Sequence, residues 1–261
     1  MARPFIVLNN KRIIELYGKG LPARNIGLQF HVSQTPILRI LKEHNILIKH
    51  FTKPRIYTID EDCFSRPLNE NIAYWVGFLM ADGSISKRDY RVYVGLASID
   101  KEHLLKFASF LGTNKPLYFR EKTEQFCLDI SSKKIKEKLA EFGVINNKSL
   151  IATMQNINQA NERHFWRGVL DGDGCIRKDN VGNWRVILCG SNNICNQFLS
   201  FVKQNGIHTH AKVRKMKNVN CHLIGITGNN QVSVLLSLLY KNNCIALDRK
   251  NILAQKMLEE K

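Results

Sequence analysis

The sequence predicts an α+β fold: two pseudo-symmetric αββαββα modules in tandem, preceded by a small all-α segment. Three observations predict it. Residues 70–85, ENIAYWVGFLMADGSI, return in altered form at 162–176 as ERHFWRGVLDGDGCI. The offset of 91 residues between Asp82 and Asp173 persists downstream, where Phe107 and Phe110 recur as Phe198 and Phe201. Residues 11–48 carry a different pattern, that of short amphipathic helices. An internal repeat of this length implies two similar modules paired about a pseudo-two-fold axis.

Taken in chain order, the first helix is KRIIELYGKG, with Ile13, Ile14, Leu16 and Tyr17 at helical spacing and Gly18 and Gly20 ending it. Pro22 opens the second, PARNIGLQF, at the first-turn position where a missing N–H costs nothing. A tight turn at His31–Val32 leads to a third helix, SQTPILRILKEHNI, for which Ser33 is the expected cap and Ile37, Leu38, Ile40 and Leu41 the apolar side. Helix, helix, tight turn, helix is the helix-turn-helix pattern, similar to that of resolvases and phage regulators, whose last helix enters the major groove. Gln34, Thr35 and Arg39 are then the outward, base-facing candidates. The segment spans residues 1–50, and 51–66, with Pro54, mixed charge and no sustained period, reads as a linker.

The modules follow, at 67–158 and 159–261. After each Asp-Gly come strand-like segments (RVYVGLAS; NWRVILCG) and an amphipathic helix (HLLKFASFLG; ICNQFLSFVKQNG). Next come further strands within PLYFREKTEQFCLDIS and HAKVRKMKNVNCHLIGITG, then a last helix (KKIKEKLAEFG; NQVSVLLSLLYKN). Trp75, Trp166 and Trp184 show no shared aromatic pattern and are expected to fill core or interface.

Composition narrows the function. Apolar residues make up 44% of 261, enough to build a core. Thirty-nine Lys and Arg against 22 Asp and Glu give a net charge of +17, dispersed along the chain, so a folded surface that attracts polyanions is expected. No signal peptide and no membrane-length apolar run is visible, which excludes a membrane partner and suggests an intracellular protein. Seven cysteines, odd in number and without CxxC pairing, read as free thiols in a reducing compartment. His208, His210, Cys221 and His222 are ligand types without the spacing of a zinc site.

The chemistry lies in the repeated motif. Ala73, Gly77 and Ala81 fall four apart on one helix face, and Gly168 and Gly172 occupy the equivalent face of the second copy. Such faces let two helices approach closely. Each helix is expected to end at its Asp-Gly, the glycine supplying a left-handed residue. Side by side, the helices bring Asp82 and Asp173 to one end, together with the negative poles of both dipoles and the carbonyls of Ala81 and Gly172. Two repelling carboxylates in a negative field suit a divalent metal with oxygen ligands.

WVGFLMADG and WRGVLDGDG resemble the LAGLIDADG motif of homing endonucleases, in the single-chain form with two copies. The resemblance covers residues 67–258 and gains its specificity from the motif occurring twice, each time ahead of the same strand–helix order. It implies that Asp82 and Asp173, the last acidic residue of each motif, bind Mg²⁺ or another divalent ion. The earlier acidic position holds Met80 in one copy and Asp171 in the other, so Asp171 is expected to be structural. The resemblance also implies a basic residue near each centre, for which Lys148 in FGVINNKSL and Lys250 in NCIALDRKNIL stand at matching places; the alternative is a lysine on a solvated loop. The expected reaction is hydrolysis of one phosphodiester per strand of double-stranded DNA, at a long pseudo-palindromic site, by a monomer containing both halves.

Readout falls to the strands, since a β-ribbon fits the major groove. Candidates are Ser84, Ser86, Lys87, Arg88, Arg91, Arg120 and Lys122 in the first module. In the second they are Arg177, Lys178, Arg185, Lys212, Arg214 and Lys217. Two other readings use the same scaffold: a DNA-binding transcription regulator that does not cut, and a maturase that binds intron RNA.

Overall fold

The structure is a computed structural model and describes residues 8–48, 56–217, 219–241 and 244–260. It divides into two units, which meet in sequence at Ile56 and Tyr57.

The first unit holds three helices, α1 (Asn10–Gly18), α2 (Ala23–Gln29) and α3 (Gln34–Glu43). Ile13, Tyr17, Ile26, Ile37, Ile40 and Leu41 form its own small core. His31 takes φ 55° in the turn before α3. Two local expectations need correcting. Pro22 stands at the N-cap of α2 rather than inside the first turn, its carbonyl accepting from the N–H of Asn25 at 2.8 Å and Ile26 at 3.1 Å. Ser33 holds the N-cap position of α3, but its hydroxyl accepts no capping bond. Pro36 explains this, because the third residue of that helix has no N–H to donate.

The second unit opens within the stretch expected to be linker. Of that stretch, 51–55 lie outside the described residues. Beyond them Cys63 and Phe64 are buried in the core of the unit, the Asp60 N–H donates to Leu111 O at 2.9 Å, and Phe64 meets Phe110 edge-on. This segment has no regular period because it is a docked turn, held by side chains instead of a backbone ladder.

Helix α4 (Glu70–Asp82) is followed by β1 (Ser84–Ile85), β2 (Arg91–Ala97), α5 (Lys101–Phe110), β3 (Tyr118–Arg120), β4 (Gln125–Ser131) and α6 (Lys133–Glu141). The order then repeats with α7 (Gln159–Asp173), β5 (Gly174–Lys178), β6 (Trp184–Gly190), α8 (Asn192–Gln204), β7 (Arg214–Lys215), β8 (His222–Thr227) and α9 (Asn229–Tyr240). A last helix, α10 (Asp248–Glu259), has no first-module partner. The two antiparallel sheets have orders β1-β2-β4-β3 and β5-β6-β8-β7. Val94 faces Leu128 in one, and Leu188 faces Ile224 in the other.

Pattern explains the layers. In β2, Val92, Val94 and Leu96 are buried while Arg91, Tyr93, Gly95 and Ala97 alternate onto the opposite face. α5 packs behind β2 and β4, and α8 behind β6 and β8. α4 is buried all round from Ile72 to Met80, because it lies between its own sheet and α7. Trp75 and Trp166 are repeat equivalents after all, 91 residues apart. Trp75 lies 4.9 Å from Phe107 and 6.0 Å from Phe110 between ring centroids. Trp166 lies 5.3 Å from Phe198 and 6.1 Å from Phe201, which is the same arrangement. Among the described residues, no helix is long and apolar enough to cross a membrane.

Candidate active site and nucleic-acid interface

The site begins with the contact between α4 and α7. A Cβ placed on Gly77 would stand 2.1 Å from Phe165 O, and one on Gly168 would stand 2.1 Å from Tyr74 O. The two backbones therefore touch, and only glycine fits at either place. Gly83 and Gly174 follow the helices, but neither is left-handed: they are extended, at φ −73° and −93°, because the chain passes directly into β1 and β5. Glycine is required there for space. A Cβ would lie 2.6 Å from Leu79 O in one copy and 2.4 Å from Leu170 O in the other.

Close packing of these helix ends brings Asp82 and Asp173 to one place, and both reach the surface. Burial of the ground around it pushes the Asp173 carboxyl up to about 6, with repulsion from Asp82 adding to the effect. Asp82 is also pushed up, by burial first, while Lys250 and Lys148 pull it down. Among the described residues no three His, Cys, Asp or Glu side chains converge. An ion at this point would therefore have two carboxylates, with carbonyls, water or phosphate completing its shell. That donor set suits magnesium, which keeps waters and prefers oxygen, and a cation would relieve the repulsion that raises Asp173. The carbonyls of Ala81 and Gly172 lie at the same helix ends; the Gly172 oxygen also receives Lys250 Nζ at 3.4 Å.

Both lysines are buried, unlike residues of a solvated loop. Lys148 sits in a short turn after α6 and donates to Gly83 O. Lys250, in the first turn of α10, donates to Leu170 O, Asp171 O and Gly174 O at 2.7, 2.6 and 2.7 Å. Gly83 and Gly174 are repeat equivalents, so each lysine caps the end of its own module's motif helix. Burial depresses both ammonium groups, Lys250 to about 8. The carboxylates are shared crosswise: Lys250 is the stronger influence on Asp82, and Lys148 on Asp173.

Asp171 is fully buried and accepts hydrogen bonds from Tyr74 Oη and Tyr240 Oη at 2.7 Å and from Leu247 N at 2.8 Å. Its place is structural, as expected. Tyr74 belongs to the first module and Tyr240 to the second, so this carboxylate ties the two together. Arg167 lies over the Tyr74 ring at 5.1 Å and donates to Ile245 O and Leu239 O. Asp100 receives Arg249 Nε at 3.1 Å on both oxygens, and Lys106 reaches Asp248 at 2.5 Å. None of these partners carries a sequence signal, because Tyr74 and Tyr240 become neighbours only through the fold.

The sheet faces turned away from the core gather most of the expected contact residues. Ser84 faces Tyr93, and Arg120 covers the Tyr93 ring at 5.2 Å. Arg91 is exposed and paired with Asp89 at 3.1 Å. Lys87 and Arg88 are exposed in the β1–β2 turn, and Lys122 in the β3–β4 turn. Ser86 differs: its hydroxyl accepts from the N–H groups of Arg88 and Asp89 at 3.3 Å and so holds the turn. Arg177 faces Arg185, which is held by Asp179 at 2.7 Å. Lys178 sits differently. It is paired opposite Trp184 on the other face, where it covers the indole at 5.7 Å and bonds Glu260 at 2.8 Å. Alternation along β5 turns it away from Arg177. Arg185, Lys212 and Arg214 line a groove of about 580 Å³ with His208, His210 and Gln231, and Lys217 is exposed beyond it. In the first unit, considered by itself, Gln34, Thr35 and Arg39 are exposed on α3, with Arg39 3.7 Å from Glu43.

This architecture has counterparts among solved structures. The meganuclease I-SmaMI, bound to uncleaveable DNA, is 14% identical with a TM-score of 0.52, covering 71% of this chain and 88% of that one. The chain has the two-module LAGLIDADG fold. The LAGLIDADG meganuclease I-AabMI, bound to uncleaved DNA, is 12% identical with a TM-score of 0.52, over 74% of this chain and 90% of that one. The LAGLIDADG homing endonuclease I-GzeII, in complex with its DNA target, is 13% identical with a TM-score of 0.51, over 74% and 92%. At such identities the shared LAGLIDADG property is the fold. No family model and no curated protein matches the sequence.

Proposed function

We propose that this chain is a site-specific, divalent-metal-dependent endonuclease that cuts both strands of a double-stranded DNA target. The observation that carries the reading is the meeting of Asp82 and Asp173 at the ends of two touching helices, with a buried lysine beside each. The solved LAGLIDADG structures described above hold DNA. The basic open faces of two sheets support one half-site for each module, within a single chain.

Hydrolysis joins a water oxygen to phosphorus, breaks one bridging P–O bond and leaves a protonated hydroxyl on the departing sugar. Asp82 and Asp173 would hold Mg²⁺, which when bound lowers the pKa of water and withdraws charge from the phosphate. Lys148 and Lys250 supply positive charge where the phosphate gains negative charge, in a site where burial strengthens the interaction. The open sheet faces fix the register of the duplex, so that one phosphate per strand meets the acidic pair. The first unit would add a tethered contact through α3.

The test is a supercoiled plasmid carrying the two DNA flanks of this protein's own gene, joined without it, and incubated with protein and magnesium. Linear product is expected from the natural chain. Asp82→Asn and Asp173→Asn should each bind the plasmid insert but yield no linear DNA. Tight binding with no cut by the natural chain would point to a regulator, and preference for the intron RNA would point to a maturase.

A further inference from the structure

The outward faces of the two sheets share a layout and differ in chemistry. Strand pairing fixes the correspondence. Tyr93 stands between Ser84 and Asp129 in the first module, as Ile187 stands between Cys175 and Gly225 in the second. Residues directly across a strand pair point to the same side of the sheet. Ile187 therefore takes the place of Tyr93, Gly225 that of Asp129, and Leu223, two residues from Gly225 along β8, that of Cys127.

In the first module this ground is covered by polar groups that have partners. Tyr93 Oη meets Cys127 Sγ at 3.1 Å, Arg120 lies over the Tyr93 ring, and Lys115 Nζ pairs with the Asp129 carboxylate at 3.0 Å. In the second module the same ground is an open groove of about 580 Å³. Ile187, Leu223 and Gly225 make its floor, and Arg185, Lys212 and Arg214 stand along its walls. Arg185 does not fold over Ile187 as Arg120 folds over Tyr93, because Asp179 holds its guanidinium at 2.7 Å. Glycine widens the groove further: a Cβ on Gly225 would meet nothing nearer than Ile187 Cγ1, at 3.9 Å.

We propose that the second module recognises thymine by its 5-methyl group, seated on Ile187 and Leu223, and that the first module makes no such reading. The inference rests on the double-stranded DNA target proposed above and does not depend on cleavage. The cations on the walls match the charge of a duplex and draw it in. The floor itself offers no side-chain donor, so it cannot serve a phosphate oxygen or a polar base edge. Among the base edges that unmodified DNA shows in its major groove, only that of thymine carries an apolar group, the methyl on C5. Arg185 and Arg214 are left to meet phosphates or guanines on either side. Burying one methyl group on this floor should raise affinity about fourfold. That gain is small beside the phosphate contacts, but it is confined to thymines that reach the groove.

The experiment titrates the natural chain against a labelled duplex of the gene's two joined flanks, without magnesium so that it stays whole. Thymines are replaced one at a time by deoxyuridine, which removes the methyl and keeps every hydrogen-bonding group of the base pair. Binding should weaken about fourfold at a few thymines, all in one half of the duplex, and stay unchanged at the rest. Ile187→Thr keeps a β-branched residue in the strand but puts a hydroxyl on the floor. Gly225→Asp places there the carboxylate that the first module has, where there is room for it. Each variant should hold the thymine and deoxyuridine duplexes equally well, while Tyr93→Phe should leave the ratios of the natural chain intact. Should a variant fail to fold, the scan with the natural chain still decides. Responses in both halves alike, or in neither, would overturn the proposal. So would ratios lost in Tyr93→Phe and kept in Ile187→Thr, or a response only to methyl groups added to cytosines. If the natural chain does not hold the duplex at all, the DNA reading itself falls, and this inference with it.

Discussion

At the scale of single residues, the candidate site shows a conflict between stability and function that can be measured. Asp173 is raised to about 6 from an ordinary carboxyl near 3.8, by burial and by Asp82. A group raised on folding contributes most to stability below its unfolded value, and that contribution is lost as pH rises through 6. At pH 8 without metal, then, ionised Asp173 weakens the fold. Asp173→Asn should raise the melting temperature of the metal-free protein most at pH 8 and by about half as much at pH 5, which lies between the unfolded and folded values; equal gains at both would refute the linkage. The same proton competes with a cation, so magnesium affinity should fall about tenfold per unit below pH 6, read by titration of the ion. Asp171 is also pushed up by burial, yet its hydrogen bonds make it a support of the fold. Asp171→Ala would strand the Tyr240 hydroxyl and the Leu247 N–H in the core and leave Tyr74 Oη only the ring of His103, 3.0 Å away. A loss of about 3 kcal/mol or more is expected on chemical denaturation, since each unpaired buried donor costs about 1–3 kcal/mol. Asp82 and Asp173 were legible because they repeat. Tyr74, Tyr240 and His103 were not, since a hydrogen bond between residues far apart in sequence leaves no local pattern.

At the scale of elements, the motif helices show which kinds of information a sequence carries. Small residues four apart marked the contact face of α4, and the structure brings Gly77 within 2.1 Å of a carbonyl oxygen as measured from an added Cβ. Even Gly77→Ala or Gly168→Ala should therefore separate the helices. Overpacking costs about 1–3 kcal/mol or more. For a chain of this size that lowers the melting temperature by roughly 2–12 °C at about 2–4 °C per kcal/mol. A variant that melts with the parent would show that the backbones do not touch. The glycines after Asp82 and Asp173 were misread, because Asp-Gly at a helix end suggests a left-handed turn. The real constraint is a close approach to the carbonyls of Leu79 and Leu170, which depends on where the next strand goes. α10 escaped notice for a related reason: it has no counterpart in the first module, so the repeat could not point to it. Ser33 makes the same point on a smaller scale, since the proline three residues on removes the N–H that its hydroxyl would bond.

At the scale of the whole molecule, two units with separate cores share one chain, and their division can be used to ask what the first unit contributes. Ile13, Tyr17, Ile26 and Leu41 close one core, while Phe64 and the two motif helices belong to the other. A chain beginning at Tyr57 should therefore fold. It would keep Thr58, whose hydroxyl bonds Gly112 O at 3.0 Å, and the docked turn through Phe64. It would also keep Asp82, Asp173, Lys148 and Lys250, so it should still cut its target when protein is in excess. What it loses is a second contact tethered in cis. Tethering raises affinity through effective concentration, commonly by 10²–10⁴ for well-matched linkers, without changing the other contact. At least about a tenfold weakening is expected at moderate salt. The salt dependence should also become shallower, by about 0.9 in slope for each phosphate contact removed. Titrating both chains against one labelled target at several salt concentrations separates the possibilities. Weaker binding with an unchanged slope would mean that the first unit reaches DNA without meeting phosphates. Equal affinity and equal slope would mean that the exposed Gln34, Thr35 and Arg39 face something other than the DNA target.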